Sequence, residues 1–302
     1  MPLPASVVGA SIEPVVHEVD ARWIMAHATS IGALNSCYLD TTRPTGVVAH
    51  PLFTACVEWP AMLAARRLVP DDVLPRHEEA RGVHASHDLT IHRLVRPGDI
   101  LTTAATVQSI EARAPGAYEV IRFVTTDQHN APVATTEIGS LFVGVDVVGQ
   151  PENKTVGDDR SNGEATAPAK PKAPPRLLGQ VVDIPANAAH VYTEGSRIYN
   201  PIHTDAAFAE FAGLPHIILH GTATLAIAMS EIIDVFGHGD PTRLRRVRCR
   251  FAGMVPMPST ITVCVDRRSD AVGEREYSFE VHHADGRPVL SHGSATLTRS
   301  GR

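Results

Sequence analysis

The sequence predicts an α+β fold made of two similar halves, each with a long buried helix held against an antiparallel sheet. One observation is the stretch 222–236, TATLAIAMSEIIDVF, which is apolar on nearly all faces and so predicts a buried helix. Another is the alternation of apolar and polar residues at 261–266 and 277–282, which predicts strands with one face on a core. The third is an internal repeat. Because an all-apolar helix has to be covered, we expect a sheet to wrap around it.

The repeat consists of three pairs of similar segments in the same order: 47–54 and 217–224, 95–102 and 255–262, 130–133 and 286–289. The spacing within the pairs decreases from 170 to 160 to 156 residues, measured between His50 and His220, Val95 and Val255, and Pro132 and Pro288. A tandem duplication followed by loop deletions would produce this steady decrease. We therefore predict an N-terminal half over residues 1–148 and a C-terminal half over residues 176–302.

Between the halves, residues 149–175 read GQPENKTVGDDRSNGEATAPAKPKAPP. The stretch has no aromatic residue, and its one large aliphatic residue is Val156. Such a composition cannot bury enough apolar surface to order itself, so it predicts a solvated linker. A long ordered surface loop is the alternative.

The first half should contain its own central helix over residues 52–68. This segment includes Pro60, which lacks an amide hydrogen and should kink the helix. The first half is therefore expected to be a modified copy of the second. Together they would place two long central helices beneath one continuous antiparallel sheet.

Composition excludes several classes of function. The formal net charge is −6 and the isoelectric point about 6.2, which argues against a protein that coats nucleic acid. The chain has no run of 18 apolar residues and no basic N-terminal region, so we expect neither a membrane span nor a signal peptide. The four cysteines are scattered without Cys-x-x-Cys pairs, as in a reduced cytoplasmic protein.

Metal and cofactor sites are also not expected. His84, His87 and His92 lack a cysteine or carboxylate at ligand spacing, and the adjacent His282 and His283 point to opposite faces of a strand. All five are better explained as surface or core histidines. The chain contains neither a Gly-x-Gly-x-x-Gly nor a Walker sequence, so no nucleotide cofactor is implied.

The candidate active site lies at residues 199–203, YNPIH, and 217–221, IILHG. His203 follows a proline-stiffened turn and titrates near neutral pH, so it can act as a general acid or base. Gly221 opens the apolar helix, where its backbone amide could stabilise negative charge on a thioester oxygen. Asn200 could orient water or the histidine. The alternatives are a glycine needed only for a tight turn, a structural histidine, and an asparagine that caps a helix.

These segments resemble the MaoC-like, or hydratase 2, family of (R)-specific enoyl-thioester hydratases and dehydratases. The family motif is Gly-Asp-x-Asn-Pro-x-His, then an overhang, then Leu-His-Gly at the start of the central helix. The matching segments here are 200–203, 211–215 and 219–221, with further similarity at 250–255 and 25–33. The resemblance implies a double hot-dog fold and a substrate carried on CoA or acyl carrier protein. We place Tyr199, His220 and Phe251 beside that substrate, and a homodimer is a further expectation.

The motif is incomplete in this chain. The aspartate position of the family falls on Ile198 and the glycine position on Arg197. Isoleucine cannot transfer a proton, and the nearby carboxylates Glu194 and Asp205 are weak substitutes. We expect His203 to act with Asn200 and without an aspartate. The sequence thus favours a hydratase or dehydratase, with a non-catalytic acyl-thioester-binding protein or a hot-dog thioesterase as alternatives.

Overall fold

A computed structural model describes residues 2–70, 73–74, 82–149 and 176–299. The predicted linker, apart from Gly149, lies outside the described residues. The strands of the first half are β1 (Leu3–Pro4), β2 (Val15–Glu18), β3 (Gly82–Ile91), β4 (Ile100–Arg113), β5 (Gly116–Thr126), β6 (Pro132–Val143) and β7 (Val147–Val148). Those of the second half are β8 (Leu178–Ile184), β9 (Leu244–Phe251), β10 (Ser259–Ala271), β11 (Glu274–His283) and β12 (Pro288–Thr298).

Ten of these strands form one antiparallel sheet in the order β2-β4-β5-β6-β3-β9-β12-β11-β10-β8. The first five members and the last five run through the same sequence of elements in mirror order, which is what a duplicated unit would give. The two halves join where β3 pairs with β9, from Ser86 opposite Arg250 to Thr90 opposite Arg246. At this seam Arg246 donates two hydrogen bonds to the Asp88 carboxylate, at 2.8 and 2.9 Å. The prediction of a continuous sheet is confirmed.

The helices are α1 (Ala21–Ser30), α2 (Ser36–Leu39), α3 (Thr54–Arg66), α4 (Ala188–Ser196), α5 (Ala206–Phe211) and α6 (Gly221–Phe236). Helix α6 matches the predicted helix to within one residue. Helix α3 is two residues shorter at each end than predicted, because Pro51–Phe53 form a 3-10 turn before it and Arg67 caps it. None of the helices in the described ranges is long and apolar enough to cross a membrane.

Helix α6 forms the centre of the larger core. Leu225, Ala226, Met229 and Ile232 have no exposed surface and pack against the inner faces of the second-half strands. Burial of these side chains is the main favourable contribution, since each large one stabilises the fold by about 1.5–3 kcal/mol relative to exposure. The all-apolar pattern of residues 222–236 is thereby explained.

Helices α1 and α4 cross closely and hold the segment that leads into the candidate site. A Cβ atom on Gly195 would lie 2.6 Å from Ser30 Cβ and 2.7 Å from the Ala26 carbonyl oxygen, so only glycine permits this approach. Directly afterwards, the Arg197 guanidinium lies over the Trp23 ring, 4.1 Å from its centroid. The first half therefore anchors the motif of the second half.

Truncating Leu225 to alanine should destabilise the protein by about 2–5 kcal/mol, because it removes buried methyl groups and leaves a cavity. The measurement is chemical denaturation of Leu225→Ala beside the wild type. Val235→Ala on the same helix is the matched control, because Val235 is exposed and its truncation should change stability little. A loss well under 1 kcal/mol for Leu225→Ala would mean that α6 is not the centre of the core.

His27 should make stability depend on pH. It is fully buried between the two halves, and among the described residues neither ring nitrogen has a hydrogen-bond partner. Burial lowers its pKa to about 3, so folding excludes a proton that the unfolded chain binds below about pH 6.5. Stability is therefore complete above pH 6.5 and is lost as pH falls. At pH 5 this single histidine should account for about 2 kcal/mol, from 1.5 pH units at 1.36 kcal/mol each.

The test compares unfolding free energies at pH 8 and pH 5. His27→Leu should reduce the difference between the two pH values by about 2 kcal/mol. The exposed His129 provides a control, and His129→Leu should leave the difference as it is in the wild type. An unchanged difference in His27→Leu would contradict the assignment.

Candidate active site

A cavity of about 700 Å³ lies between the two halves. One wall is the face of α3 formed by Ala55, Glu58, Trp59, Met62 and Arg66, whose spacing of three and four residues is that of a single helix face. The opposite wall consists of the motif segment, the loop before α6 and the first turn of α6. Neither half forms this cavity alone.

The motif begins where α4 ends. Arg197 caps α4 in the left-handed conformation with φ at 61°, which glycine adopts without strain and which explains the glycine of the family motif. Here the stacking of Arg197 on Trp23 offsets part of the strain. Ser196 Oγ donates to the Tyr192 carbonyl at 2.6 Å and accepts from the Ile198 amide at 3.2 Å. These contacts fix the chain just before Ile198, whose buried side chain lines the cavity.

His203 is held in one orientation. It ends the 3-10 turn Pro201–His203, and its Nδ1 lies 2.8 Å from the Ile218 carbonyl oxygen. A carbonyl can only accept, so Nδ1 carries the hydrogen and Nε2 keeps the lone pair. Burial lowers the pKa of His203 to about 4. The ring is therefore neutral at pH 7, with one nitrogen ready to accept a proton.

His220 stacks on His203, with 3.7 Å between ring centroids. Its Nε2 is within hydrogen-bonding distance of Thr193 Oγ1, at 3.3 Å, and the Tyr192 ring lies 4.8 Å away. Burial first, and the neighbouring His203 second, lower the pKa of His220 to about 2. His220 lines the cavity, and its packing also makes it the surface against which His203 is positioned.

Gly221 is the first residue of α6, so its amide has no acceptor within the helix. It lines the cavity together with Phe251. A Cβ on Gly221 would lie 2.8 Å from Phe251 Cε1, so the glycine is also needed to seat this ring. Any larger residue would therefore disturb packing as well as access to the amide.

Asn200 and Tyr199 are placed differently. Asn200 lines the cavity, and its carbonyl accepts the His203 amide at 3.1 Å, while its side chain makes no capping bond. Tyr199 is 58% exposed and points away from the cavity wall. Ile198 and Asn200 both line the cavity, and the Asn200 amide donates to the Ile198 carbonyl at 3.2 Å in a tight turn centred on Tyr199. The structure therefore does not bring Tyr199 together with the other candidates.

The two carboxylates considered as substitutes for the aspartate lie elsewhere. Glu194 is exposed on α4. Asp205 is exposed and caps α5, where its Oδ1 accepts the Phe208 amide at 3.1 Å. Neither side chain lines the cavity.

Two cavity residues were missed from the sequence. Glu58 is 1% exposed, and its Oε1 accepts a hydrogen bond from Thr136 Oγ1, while Oε2 has no partner among the described residues. Burial raises the pKa of Glu58 to about 7. His84 stacks on Phe251 at 4.1 Å, and burial lowers its pKa. The available signal for Glu58 was a single carboxylate within the apolar run of a predicted buried helix.

Comparison with known proteins agrees with this geometry. Residues 167–285 match the family model described as "MaoC like domain", and residues 6–136 match "FAS1-like, dehydratase domain region". The 3-hydroxyacyl-thioester dehydratase Y of Mycobacterium tuberculosis is 26% identical over 97% of this chain and 98% of its own. The probable enoyl-CoA hydratase 2 of Dictyostelium discoideum is 24% identical over 59% of this chain. The match covers 58% of that relative, less than two thirds of its length.

Solved structures share the fold. A MaoC-like dehydratase from Phytophthora capsici superposes with a TM-score of 0.77 at 20% identity, over 97% of both chains. A conserved hypothetical protein of Mycobacterium tuberculosis, described as a double hotdog fold, superposes with a TM-score of 0.61 at 18% identity, over 97% of this chain and 96% of that one. At these identities the likeness establishes the architecture alone. The chain therefore has a double hot-dog fold, with a MaoC-like domain over residues 167–285 and a FAS1-like dehydratase region over residues 6–136.

Proposed function

We propose that the protein catalyses the hydration of an enoyl thioester or the reverse dehydration of a 3-hydroxyacyl thioester, carried on CoA or on acyl carrier protein. The observation that carries the proposal is the state of His203. It is neutral, oriented through Nδ1, and faces the same cavity as the first turn of α6. The names of the relatives support the same reaction class.

The chemistry follows from the charges that develop. Hydration adds the hydroxyl of water at Cβ and a proton at Cα, and negative charge builds on the thioester oxygen between these steps. The Gly221 amide, at the positive end of the α6 dipole, stabilises that oxygen without reorganising. The His203 Nε2 lone pair accepts the proton of the attacking water. Asn200, on the same wall, helps to orient that water.

The N-terminal half provides room for the acyl group. Trp59, Met62 and Ile138 give this side of the cavity an apolar wall, facing Leu214 and Met254 of the C-terminal half. The volume of about 700 Å³ falls within the usual range of ligand sites, about 300–1,000 Å³. Three points stay predictions of the sequence. They are the acyl-chain side in residues 1–148 with the active site in residues 176–302, the homodimer, and the cytoplasmic location.

A second candidate is a protein that binds acyl thioesters without turning them over. The observation in its favour is Ile198, a buried apolar side chain where the family motif has its aspartate. The two candidates differ in whether wild-type protein converts substrate. Binding without turnover would select this alternative.

His203→Ala should lower kcat/KM by roughly 10²–10⁴-fold, because it removes the group that accepts the proton of water. The measurement follows the absorbance of the conjugated thioester with crotonyl-CoA, a methyl-branched enoyl-CoA and an aromatic enoyl-CoA. His129→Ala is the matched control and should keep full activity, since His129 is exposed in the turn between β5 and β6.

Turnover that survives in folded His203→Ala would remove His203 from the mechanism. Absence of hydration by the wild type, together with saturable binding of the same thioesters, would favour the binding protein. Release of free CoA thiol without hydration would instead indicate a thioesterase.

A further inference from the structure

The cavity holds a carboxyl group that the motif does not account for. We propose that Glu58, from the N-terminal half, supplies the second proton-transfer group of the reaction in place of the aspartate that the family motif has at Ile198. This inference rests on the proposed hydratase or dehydratase function. It goes beyond that function by giving the first half a catalytic residue.

The packing of the two central helices brings Glu58 to the proposed oxyanion site. The His50 Nε2 atom lies 3.3 Å from Ser230 Oγ on α6. His50 comes directly before the 3-10 turn that leads into α3. Glu58 comes eight residues after His50, and Thr222 comes eight residues before Ser230. Because Glu58 and Thr222 line one cavity, α3 and α6 are antiparallel. Glu58, one turn into α3, and the first turn of α6 thus line the same cavity.

The carboxyl group is held by a hydrogen bond at one oxygen, and its other oxygen is buried beside the cavity without a partner among the described residues. Thr136 on β6 donates to Oε1 and fixes the side chain. The residues Ile138 and Ser140 follow at intervals of two along β6 and line the cavity, which shows that this face of the strand is turned toward it. Oε2 is buried and unpartnered among the described residues. A buried carboxyl oxygen without a partner is unfavourable, so a ligand or water that bonds to it is favoured.

The charge states of Glu58 and His203 are complementary. Burial raises the pKa of Glu58 to about 7, against the smaller lowering effect of the Thr136 bond. Burial lowers the pKa of His203 to about 4. Between about pH 4 and pH 7 the site therefore contains a protonated acid and an unprotonated base together. Opposite shifts of two titratable groups are what an acid and base pair requires.

The proton balance closes. In hydration, the water oxygen forms a bond to Cβ and its proton passes to His203 Nε2, while the C=C electron pair moves toward the thioester oxygen. The protonated Glu58 then gives its proton to Cα, and the carbonyl reforms. The enzyme is left with an imidazolium at His203 and a carboxylate at Glu58. One proton moved from the former to the latter, through water, restores the starting state.

The first test is Glu58→Gln, which keeps the size of the side chain and an oxygen for Thr136 but cannot give up a proton. We expect kcat to fall by roughly 10²–10⁴-fold with little change in KM. Glu137→Gln is the matched control, because Glu137 is the next residue after Thr136 and points to the other face of the sheet. It should leave activity unchanged.

Ile198→Asp in the Glu58→Gln background provides the complementary result. It returns a carboxyl group to the motif position and should recover at least tenfold of the lost rate. Wild-type turnover that persists within threefold in folded Glu58→Gln would overturn the role of Glu58 and leave the proposed function standing. Absence of wild-type turnover with every thioester in the panel would overturn both, so the two failures are distinguishable.

A second test does not require Glu58→Gln to fold. The titratable and charged groups around Glu58 are Cys56 and Arg66 on α3, His84 and His87 on β3, and His203 and His220 across the cavity. Of these, Glu58 is the group whose deprotonation should end activity as pH rises through about 7. Thr136→Val keeps the shape but removes the bond that stabilises the carboxylate, so this alkaline limb should move to higher pH. A limb that stays where it is in the wild type would contradict the proposal.

Discussion

Helices α3 and α6 run in opposite directions beneath one sheet, and the pairing of β3 with β9 fixes their relative position. The cavity is lined by both helices, which come from different halves, and His50, just before α3, contacts Ser230 on α6. The same arrangement explains why a motif confined to the second half needs the first half. The first half supplies Trp23, which supports Arg197, and the α3 face that closes the site. The motif thus lies in one half, and the corresponding helix of the other half forms the second wall.

Burial keeps the histidines in and near the cavity neutral. The same burial makes the folded protein less stable at acidic pH. His27, His203 and His220 are buried and neutral, and their lowered pKa values mean that each destabilises the fold as pH falls below about 6.5. For His203 and His220 the same burial keeps a neutral base in place. His27 has no role in the proposed mechanism, so its burial only makes the stability of the fold sensitive to acid. Functional sites commonly carry instability of this kind.

Much of the fold could be predicted because it depends on local patterns. The apolar run 222–236 marked α6, and the period-two alternation marked β10 and β11. The role of Glu58 could not be predicted, because its contact with Thr136 joins residues 78 positions apart and exists only once α3 packs on β6. The exposure of Tyr199 depends on the tight turn between Ile198 and Asn200, and spacing alone did not reveal it. The second reason for Gly221, the Phe251 ring, is likewise a tertiary contact.

Ile198 stands where the motif has an aspartate. This replacement removes a proton-transfer group and also changes the pKa of His203. A carboxylate beside an imidazole stabilises the charged ring and raises its pKa, whereas a buried apolar side chain favours the neutral ring. With Ile198 in that place, desolvation dominates at His203, and its pKa falls to about 4. His203 is then a ready proton acceptor but a poor proton donor, so the mechanism proposed above requires a separate donor. Glu58, neutral for the same reason of burial, meets that need from the opposite wall. Under this scheme the acid and the base are no longer neighbours in one motif, and the substrate itself separates them.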